Sequence, residues 1–194
     1  MQTYDLGDRV LDFEAPDQRG LPRALSDLCA NQPLVLLTYR GQGCAYCARQ
    51  LARFAEYDDD IVREGAAIAA LSADALRESA DLARELEIPF PLLCDPEADV
   101  IEKWGLLDPA DHRRIARPST WVIGTDMRVK FVSLETKTER THPRSVIRFL
   151  QTGARTDRFG FSVDRHLTPH PRGWWRIVRE HASDARERLS SLFG

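Results

Sequence analysis

The sequence predicts an α/β protein: a largely parallel sheet flanked by helices, closed by an antiparallel hairpin and followed by a C-terminal helical extension. Three observations predict it. Leu34–Tyr39 and Ala66–Leu71 are apolar runs without polar alternation, the pattern of strands buried on both faces. Stretches of helical periodicity follow each run, and alternating strands and helices build parallel sheets. Finally, Ser119–Ile123 and Arg128–Ser133 flank the turn Gly124-Thr125-Asp126-Met127, which reads as a β-hairpin.

In order along the chain, residues 1–33 are turn-rich, with Gly7, Pro16, Gly20, Pro22 and Pro33. They suit short strands and one helical turn around Ser26–Cys29. Leu34–Tyr39 is the first buried strand, broken by Gly41-Gln42-Gly43. A helix is predicted over Cys44–Glu64, with Leu51, Phe54, Ile61 and Val62 toward the core and Gly65 at its end. Ala66–Leu71 is the second buried strand. Ser72–Ile88 carries Leu76, Ala80, Ala83 and Leu86 at helical spacing and is stopped by Pro89 and Pro91. Leu92–Cys94 is a short strand. Asp95-Pro96 opens a helix that buries Val100, Ile101 and Trp104 and ends at Gly105. Residues 106–117 form a polar loop, the hairpin follows, and Pro143–Leu150 is a further helix.

Residues 1–152 therefore read as one domain and 153–194 as an extension. Within the extension, 153–173 is a linker and 174–193 an amphipathic helix. Trp174, Val178, His181, Ala185, Leu189 and Leu192 lie near one stripe of that helix, which is expected to pack on the domain or on a second copy in a homodimer.

Composition narrows the function. In 194 residues, 43% are hydrophobic and 29% charged, and the net charge is −3. No global basic field argues for nucleic acid, and no apolar stretch is long enough to span a bilayer. Most of the 27 basic residues are Arg, a bias given no functional weight. The first nine residues lack an apolar h-region, so a cytoplasmic protein is expected. Cys29, Cys44, Cys47 and Cys94 are too few for a disulfide framework in a chain of this length.

The strongest chemical signal is Cys44-Ala45-Tyr46-Cys47, placed where a buried strand passes into a helix. A cysteine at a helix N-terminus faces the positive end of the helix dipole and unpaired backbone N–H groups, and both favour thiolate. A second cysteine one turn later can attack a disulfide formed at the first. Cys44 is thus expected to be the exposed, more acidic nucleophile and Cys47 the resolving thiol. Two structural readings stand beside this one. Both cysteines could be small core residues. A zinc site would need two more ligands; Cys29 and Cys94 are isolated, and His166 and His170 flank Pro169 in a loop. No metal or organic cofactor is expected. A Cys–His dyad with His112, His142, His166, His170 or His181 would leave Cys47 without a purpose.

Residues from about 7 to 152 resemble the peroxiredoxin family of the alkyl hydroperoxide reductase/thiol-specific antioxidant type, within the thioredoxin-like fold. The matching segments are Gly7-Asp8, Phe13–Asp17, Leu25–Leu28, Tyr39–Cys47, Leu71–Asp74, Pro91–Asp95 and Arg117–Ile123. The form Tyr39-Arg40-Gly41-Gln42-Gly43-Cys44-Ala45-Tyr46-Cys47 is similar to a subgroup carrying a thioredoxin-style CxxC. The sequence departs from the family's Pro-x-x-x-Thr-x-x-Cys: Leu37 stands at the Pro place and Gly41 at the Thr place. The family's second Arg would align with Pro118, which instead matches the cis-proline of thioredoxins. The resemblance therefore implies a cis Arg117–Pro118 bond.

It also implies two-electron thiol chemistry on a peroxide or a disulfide, with Cys44, Cys47, Arg40 and Arg117 as catalytic candidates. Tyr39, Gly43, Tyr46 and Pro118 would position the substrate. The product is a Cys44–Cys47 disulfide, reset by a dithiol reductant such as a thioredoxin. Cys94 and Cys29 are expected to be buried and inert. A disulfide reductase without peroxidase activity and a non-catalytic binding module on the same fold are the alternatives. The orientation of Arg40 and Arg117 and the acidity of Cys44 discriminate among them.

Overall fold

The computed structural model describes residues 4–136 and 138–153. The chain opens with a hairpin of β1 (Glu14–Pro16) and β2 (Pro22–Ala24), then α1 (Leu25–Cys29). The central elements are β3 (Leu34–Thr38), α2 (Ala45–Glu56), α3 (Asp58–Arg63), β4 (Ala67–Ser72), α4 (Leu76–Glu85), β5 (Leu92–Cys94) and α5 (Asp99–Lys103). They are followed by β6 (Ser119–Ile123), β7 (Val129–Leu134) and α6 (Pro143–Thr152). The predicted linker and terminal helix of the extension lie outside the described residues.

Five strands form one sheet in the order β5-β4-β3-β6-β7. Strands β3, β4 and β5 are parallel, while β6 runs antiparallel to both β3 and β7. The mixed, thioredoxin-like sheet is thus the one expected. Strand β3 lies at its centre, and all five of its residues are buried. Its alternation divides the core into two. Val35 and Leu37 face one side with Leu51, Phe54, Ile61 and Phe131. Leu34 and Leu36 face the other with Leu25, Ile101, Trp104 and Trp121. In that second layer the Trp104 ring meets the edges of Tyr4, Phe13 and Trp121 at centroid distances of 5.4, 5.6 and 6.1 Å.

Four features differ from the sequence reading, each for a physical reason. The helix expected over Cys44–Glu64 is two helices with a joint at Tyr57, whose φ of −108° and ψ of 10° leave the helical region. Asp58, Asp59 and Asp60 favour a new N-terminus there, since acidic groups suit the first turn. The joint turns Ile61 into the core and leaves Val62 exposed. Helix α4 starts only at Leu76, because Ser72 completes β4 and the Glu78 carboxylate accepts from Ala75 N at 2.9 Å, fixing the start. Asp95-Pro96 does not open α5. Asp95 instead stands outside it and accepts from Asp99 N at 3.0 Å and Ile101 N at 2.9 Å.

The fourth difference is Pro118: all peptide bonds among the described residues are trans, so the expected cis Arg117–Pro118 bond is absent. Trans is the default for X-Pro by about 0.5–1 kcal/mol. Three hydrogen bonds hold the segment extended into β6. Arg117 N donates to Leu106 O at 2.6 Å, Thr38 Oγ1 donates to Arg117 O at 2.6 Å, and Glu135 N donates to Pro118 O at 3.0 Å.

Candidate active site

Strand β3 delivers the chain to the Cys44 turn at its carboxyl end, the end at which open α/β sheets place their sites. Cys44 N donates to Gly41 O at 3.1 Å, closing the turn. Gly41 has φ +126°, and a Cβ on it would come within 2.5 Å of Asp74 Oδ1, so glycine is required for both conformation and space. Asp74 also accepts from Gln42 N at 2.8 Å, tying this turn to the loop after β4. Burial pushes the Asp74 carboxyl up, and the bond from Gln42 opposes that.

Cys44 is the N-cap of α2, and its Sγ accepts from Cys47 N at 3.2 Å. Cys44 and Cys47 are joined in a disulfide across a Cα–Cα distance of 5.2 Å. The redox pair expected from CxxC is therefore formed within an undisturbed helix start. One expectation is corrected: Cys44 is not exposed. Its accessibility is 4%, against 0% for Cys47.

The residue that covers the pair is Arg140, which is itself buried at 1% accessibility. Its Nη2 lies 3.3 Å from Cys47 Sγ and 3.8 Å from Cys44 Sγ. Its Nη1 donates to Thr136 O at 2.5 Å and Glu139 O at 2.9 Å, so the loop before α6 wraps the guanidinium. Behind it, Glu135 Oε2 lies 3.7 Å from Arg140 Nε. The Glu135 carboxylate also accepts from Gln50 Nε2 at 3.0 and 3.1 Å, Thr120 Oγ1 at 2.7 Å and Thr141 N at 3.1 Å. Burial pushes Glu135 up, while Arg140, Thr120 and Thr141 oppose it. Burial pushes Arg140 down, opposed by Glu135. A cation held by a buried carboxylate thus faces two sulfur atoms at a helix N-terminus. All of these features favour an anion on sulfur when the disulfide is reduced.

The other candidate residues occupy different places. Arg40 is buried, and its guanidinium is taken by Asp111 at 2.8 Å and Asp108 at 3.4 Å. Arg117 is half-buried, and among the described residues its guanidinium makes no hydrogen bond or ion pair. Tyr39 is fully buried in the core beside the disulfide, and burial holds its phenol well above the ordinary range. Tyr46 is partly buried against the same core, Gly43 is exposed at the turn, and Pro118 is buried just before β6. Cys94 and Cys29 are buried and free, as expected, and burial, assisted by Asp12, pushes Cys29 up to about 11. His112 is exposed, and His142 caps α6 by accepting from Arg144 N at 3.2 Å. No cluster of three or more metal-ligating side chains occurs among the described residues.

Sequence reasoning missed Arg140 and Glu135. Arg140 stands 93 residues beyond Cys47, in a loop and in an arginine-rich chain. The only local hint is a charged segment, Glu135 to Arg140, between the last strand and the last helix.

Comparison with known proteins agrees with this geometry. Residues 6–132 match the AhpC/TSA family. A Mycobacterium tuberculosis protein that bears the peroxiredoxin name is 32% identical over 124 residues, 63% of this chain and 80% of its own. The crystal structure of peroxidoxin BcpB from Mycobacterium tuberculosis superposes with a TM-score of 0.68 at 28% identity, covering 75% of this chain and 96% of that one. PrxQ of Xylella fastidiosa shares the fold, with a TM-score of 0.71 at 19% identity over 80% of this chain and all of that one. With a paired Cys44 and Cys47 at the helix start of a thioredoxin-like sheet, the chain belongs to the AhpC/TSA family and is a thiol-dependent oxidoreductase of peroxiredoxin type.

Proposed function

We propose that the protein reduces hydroperoxides through Cys44, resolves through Cys47 and is recycled by a dithiol reductant of the thioredoxin type. The observation that carries this reading is Arg140 Nη2 at 3.3–3.8 Å from both sulfurs. The Cys44 thiolate attacks the distal peroxide oxygen. An S–O bond forms, the O–O bond breaks, and the leaving oxygen takes a proton from solvent to become water or an alcohol. Arg140 stabilises the thiolate and the charge that develops on the leaving oxygen. Cys47 then gives up its proton and attacks Cys44 Sγ. The S–S bond forms, and the sulfenic oxygen leaves as water. The dithiol finally donates two electrons and two protons, returning both cysteines and becoming a disulfide. Helix spacing keeps the partners within reach throughout, since the Cα atoms are 5.2 Å apart in the oxidised form.

In this reading Arg117 and Gly43 border the approach to Cys44. Arg40 acts through Asp108 and Asp111 to fix the turn rather than touching substrate. Residues 1–152 are the catalytic unit and 153–194 an appendage, in a homodimer working in a reducing cytoplasm. No helix among the described residues is long and apolar enough to cross a membrane.

Disulfide exchange without peroxidase activity is the second reading, favoured by Gly41 at the place of the family's Thr. The trans Arg117–Pro118 bond counts against it, because the cis-proline was its main support. Stopped-flow Trp fluorescence of the reduced protein separates the two. Rapid second-order oxidation by hydrogen peroxide is expected, with slower reaction with a small disulfide. The reverse order would overturn the proposal.

A further inference from the structure

The Arg140 guanidinium faces two anionic sites through different nitrogens. Nη2 lies 3.3 Å from Cys47 Sγ and 3.8 Å from Cys44 Sγ. Nε lies 3.7 Å from Glu135 Oε2, too far for a hydrogen bond, and finds no hydrogen-bond acceptor among the described residues. Nη1 is engaged by the carbonyls of Thr136 and Glu139. Arg140, Glu135 and both cysteines are buried.

The charge balance of this cluster changes with redox state. With the disulfide closed, the guanidinium and the carboxylate cancel. Reduction to a Cys44 thiolate sets a second anion against the same buried cation, and a net charge in a buried site is costly. One proton on either anion restores neutrality.

The surroundings of Glu135 suit it to take that proton. Arg140 is the charged group that meets it. Its other partners are neutral: Gln50 from α2, Thr120 from β6 and Thr141 from the loop before α6. Arg40 and Tyr46 bear on Arg140 in turn. Thr120 Oγ1 donates to Glu135 Oε1 at 2.7 Å, and a hydroxyl can rotate to accept instead. A protonated Oε1 then donates to Thr120 with no heavy atom moving, while Gln50 Nε2 continues to donate to Oε2 at 3.0 Å. Burial already pushes this carboxyl up, and a second anion beside Arg140 acts in the same direction. Cys44 differs: as N-cap of α2 it keeps the helix dipole and the Cys47 N–H in either state, and both favour its thiolate.

We propose that Glu135 is the redox-linked proton acceptor of the site, ionised while the disulfide is closed and protonated when Cys44 becomes a thiolate. It acts through Arg140, leaving the cation to the sulfur, and is a positioning residue. A dithiol supplies two electrons and two protons and closes its own S–S bond. One proton goes to Cys47 and one to Glu135, and Cys44 stays ionised. When a peroxide oxidises the thiolate, Glu135 returns its proton to solvent, matching the one that the leaving oxygen takes up. The proposal rests on the thiol–disulfide cycle of the proposed function and on no particular oxidant.

The test is the reduced-minus-oxidised infrared difference spectrum of the full chain at neutral pH, with dithiothreitol as reductant and ultraviolet thiolate absorbance reporting an ionised Cys44. Wild type is expected to gain one protonated-carboxyl band that shifts in heavy water and on heavy-carbon labelling of glutamate. Glu135 is the one buried glutamate among the described residues. The band should vanish in E135Q, whose fold is checked by circular dichroism. The equilibrium constant against dithiothreitol adds a second readout between about pH 6 and about pH 7.5, below ordinary thiol ionisation. It should stay flat in wild type, where protein and dithiol exchange two protons, and rise about tenfold per pH unit in E135Q, which takes up one fewer. A wild-type constant that climbs as steeply, or no new band while the thiolate is present, would overturn the proposal. A band that survives in a folded E135Q, or that ignores glutamate labelling, would also overturn it, since another acid then holds the proton. If E135Q does not fold, the wild-type spectrum and its isotope shift decide. A wild type that shows the band and the flat constant but reduces no peroxide would sink the peroxidase reading and uphold this one.

Discussion

Replacing Arg140 by Met should weaken the Cys44 nucleophile more than any other single change outside the cysteines. The guanidinium lies 3.8 Å from Cys44 Sγ, where a unit charge pair is worth about 4 kcal/mol at an effective dielectric of about 20. Glu135, 3.7 Å from the far side of the same cation, offsets part of this. A net loss of about 1.5–3 kcal/mol remains, or about 10- to 150-fold less thiolate at a pH below the thiol's own titration. The single variant also leaves Glu135 buried and unpaired, which costs about 3–5 kcal/mol of stability. The R140M/E135Q double variant removes both charges and should fold better while still losing at least about tenfold in reactivity. The assay is the rate of iodoacetamide alkylation against pH in a Cys47→Ser background, where Cys44 is the reactive thiol and the buried Cys29 and Cys94 are silent. If a folded R140M/E135Q protein kept the same rate and the same pH profile, Arg140 would not be the cation that activates Cys44.

Gly41→Ala should lower stability by about 1–3 kcal/mol and slow oxidation by peroxide, because φ +126° disfavours an L side chain and Asp74 Oδ1 fills its space; melting and stopped-flow traces check both. Asp111 is held well below the ordinary carboxylate range, chiefly by its bond from Arg113 and, in a smaller part, by Arg40. Its stabilising contribution is therefore present above about pH 4 and is lost as pH falls through the folded-state value, so Asp111→Asn should lower Tm at neutral pH by a margin that shrinks in acid. Cys94→Ser and Cys29→Ser should leave peroxide turnover within about twofold of wild type, since neither buried thiol takes part in the disulfide; steady-state rates decide this.

The fold was legible where one physical rule dominated. Strands β3 and β4 are buried on both faces, so continuous apolar runs announced them, and Cys44 at the strand-to-helix junction announced the redox pair. The joint at Tyr57 was hidden because Leu51, Phe54 and Ile61 keep a helix-like spacing across it, and only the three aspartates mark the restart. Asp95-Pro96 matched a helix start, yet the Asp95 carboxylate caps α5 from outside. At Pro118 the analogy with thioredoxins misled: the bond geometry depends on hydrogen bonds to Leu106, Thr38 and Glu135, which come from three distant segments. Arg140 was invisible for the same reason, since a cation reaches the sulfurs only after β7 and α6 fold the loop between them over α2. Arg40 and Arg117 are the guanidinium groups to which the resemblance points, but the fold gives Arg40 to acidic partners and leaves Arg117 without one among the described residues.

The central claim is that Cys44 takes oxygen from a peroxide and Cys47 expels it, and intact-mass spectrometry after one equivalent of hydrogen peroxide tests it most directly. Reduced wild type should lose two hydrogens and gain none of the oxidant's atoms, as the Cys44–Cys47 disulfide forms. Cys47→Ser should gain one oxygen atom, localised to Cys44 and trapped by a sulfenic-acid reagent, while Cys44→Ser should remain unchanged. Oxygen appearing on Cys47 in the Cys44→Ser protein at a comparable rate, or no mass change in Cys47→Ser, would contradict the assignment.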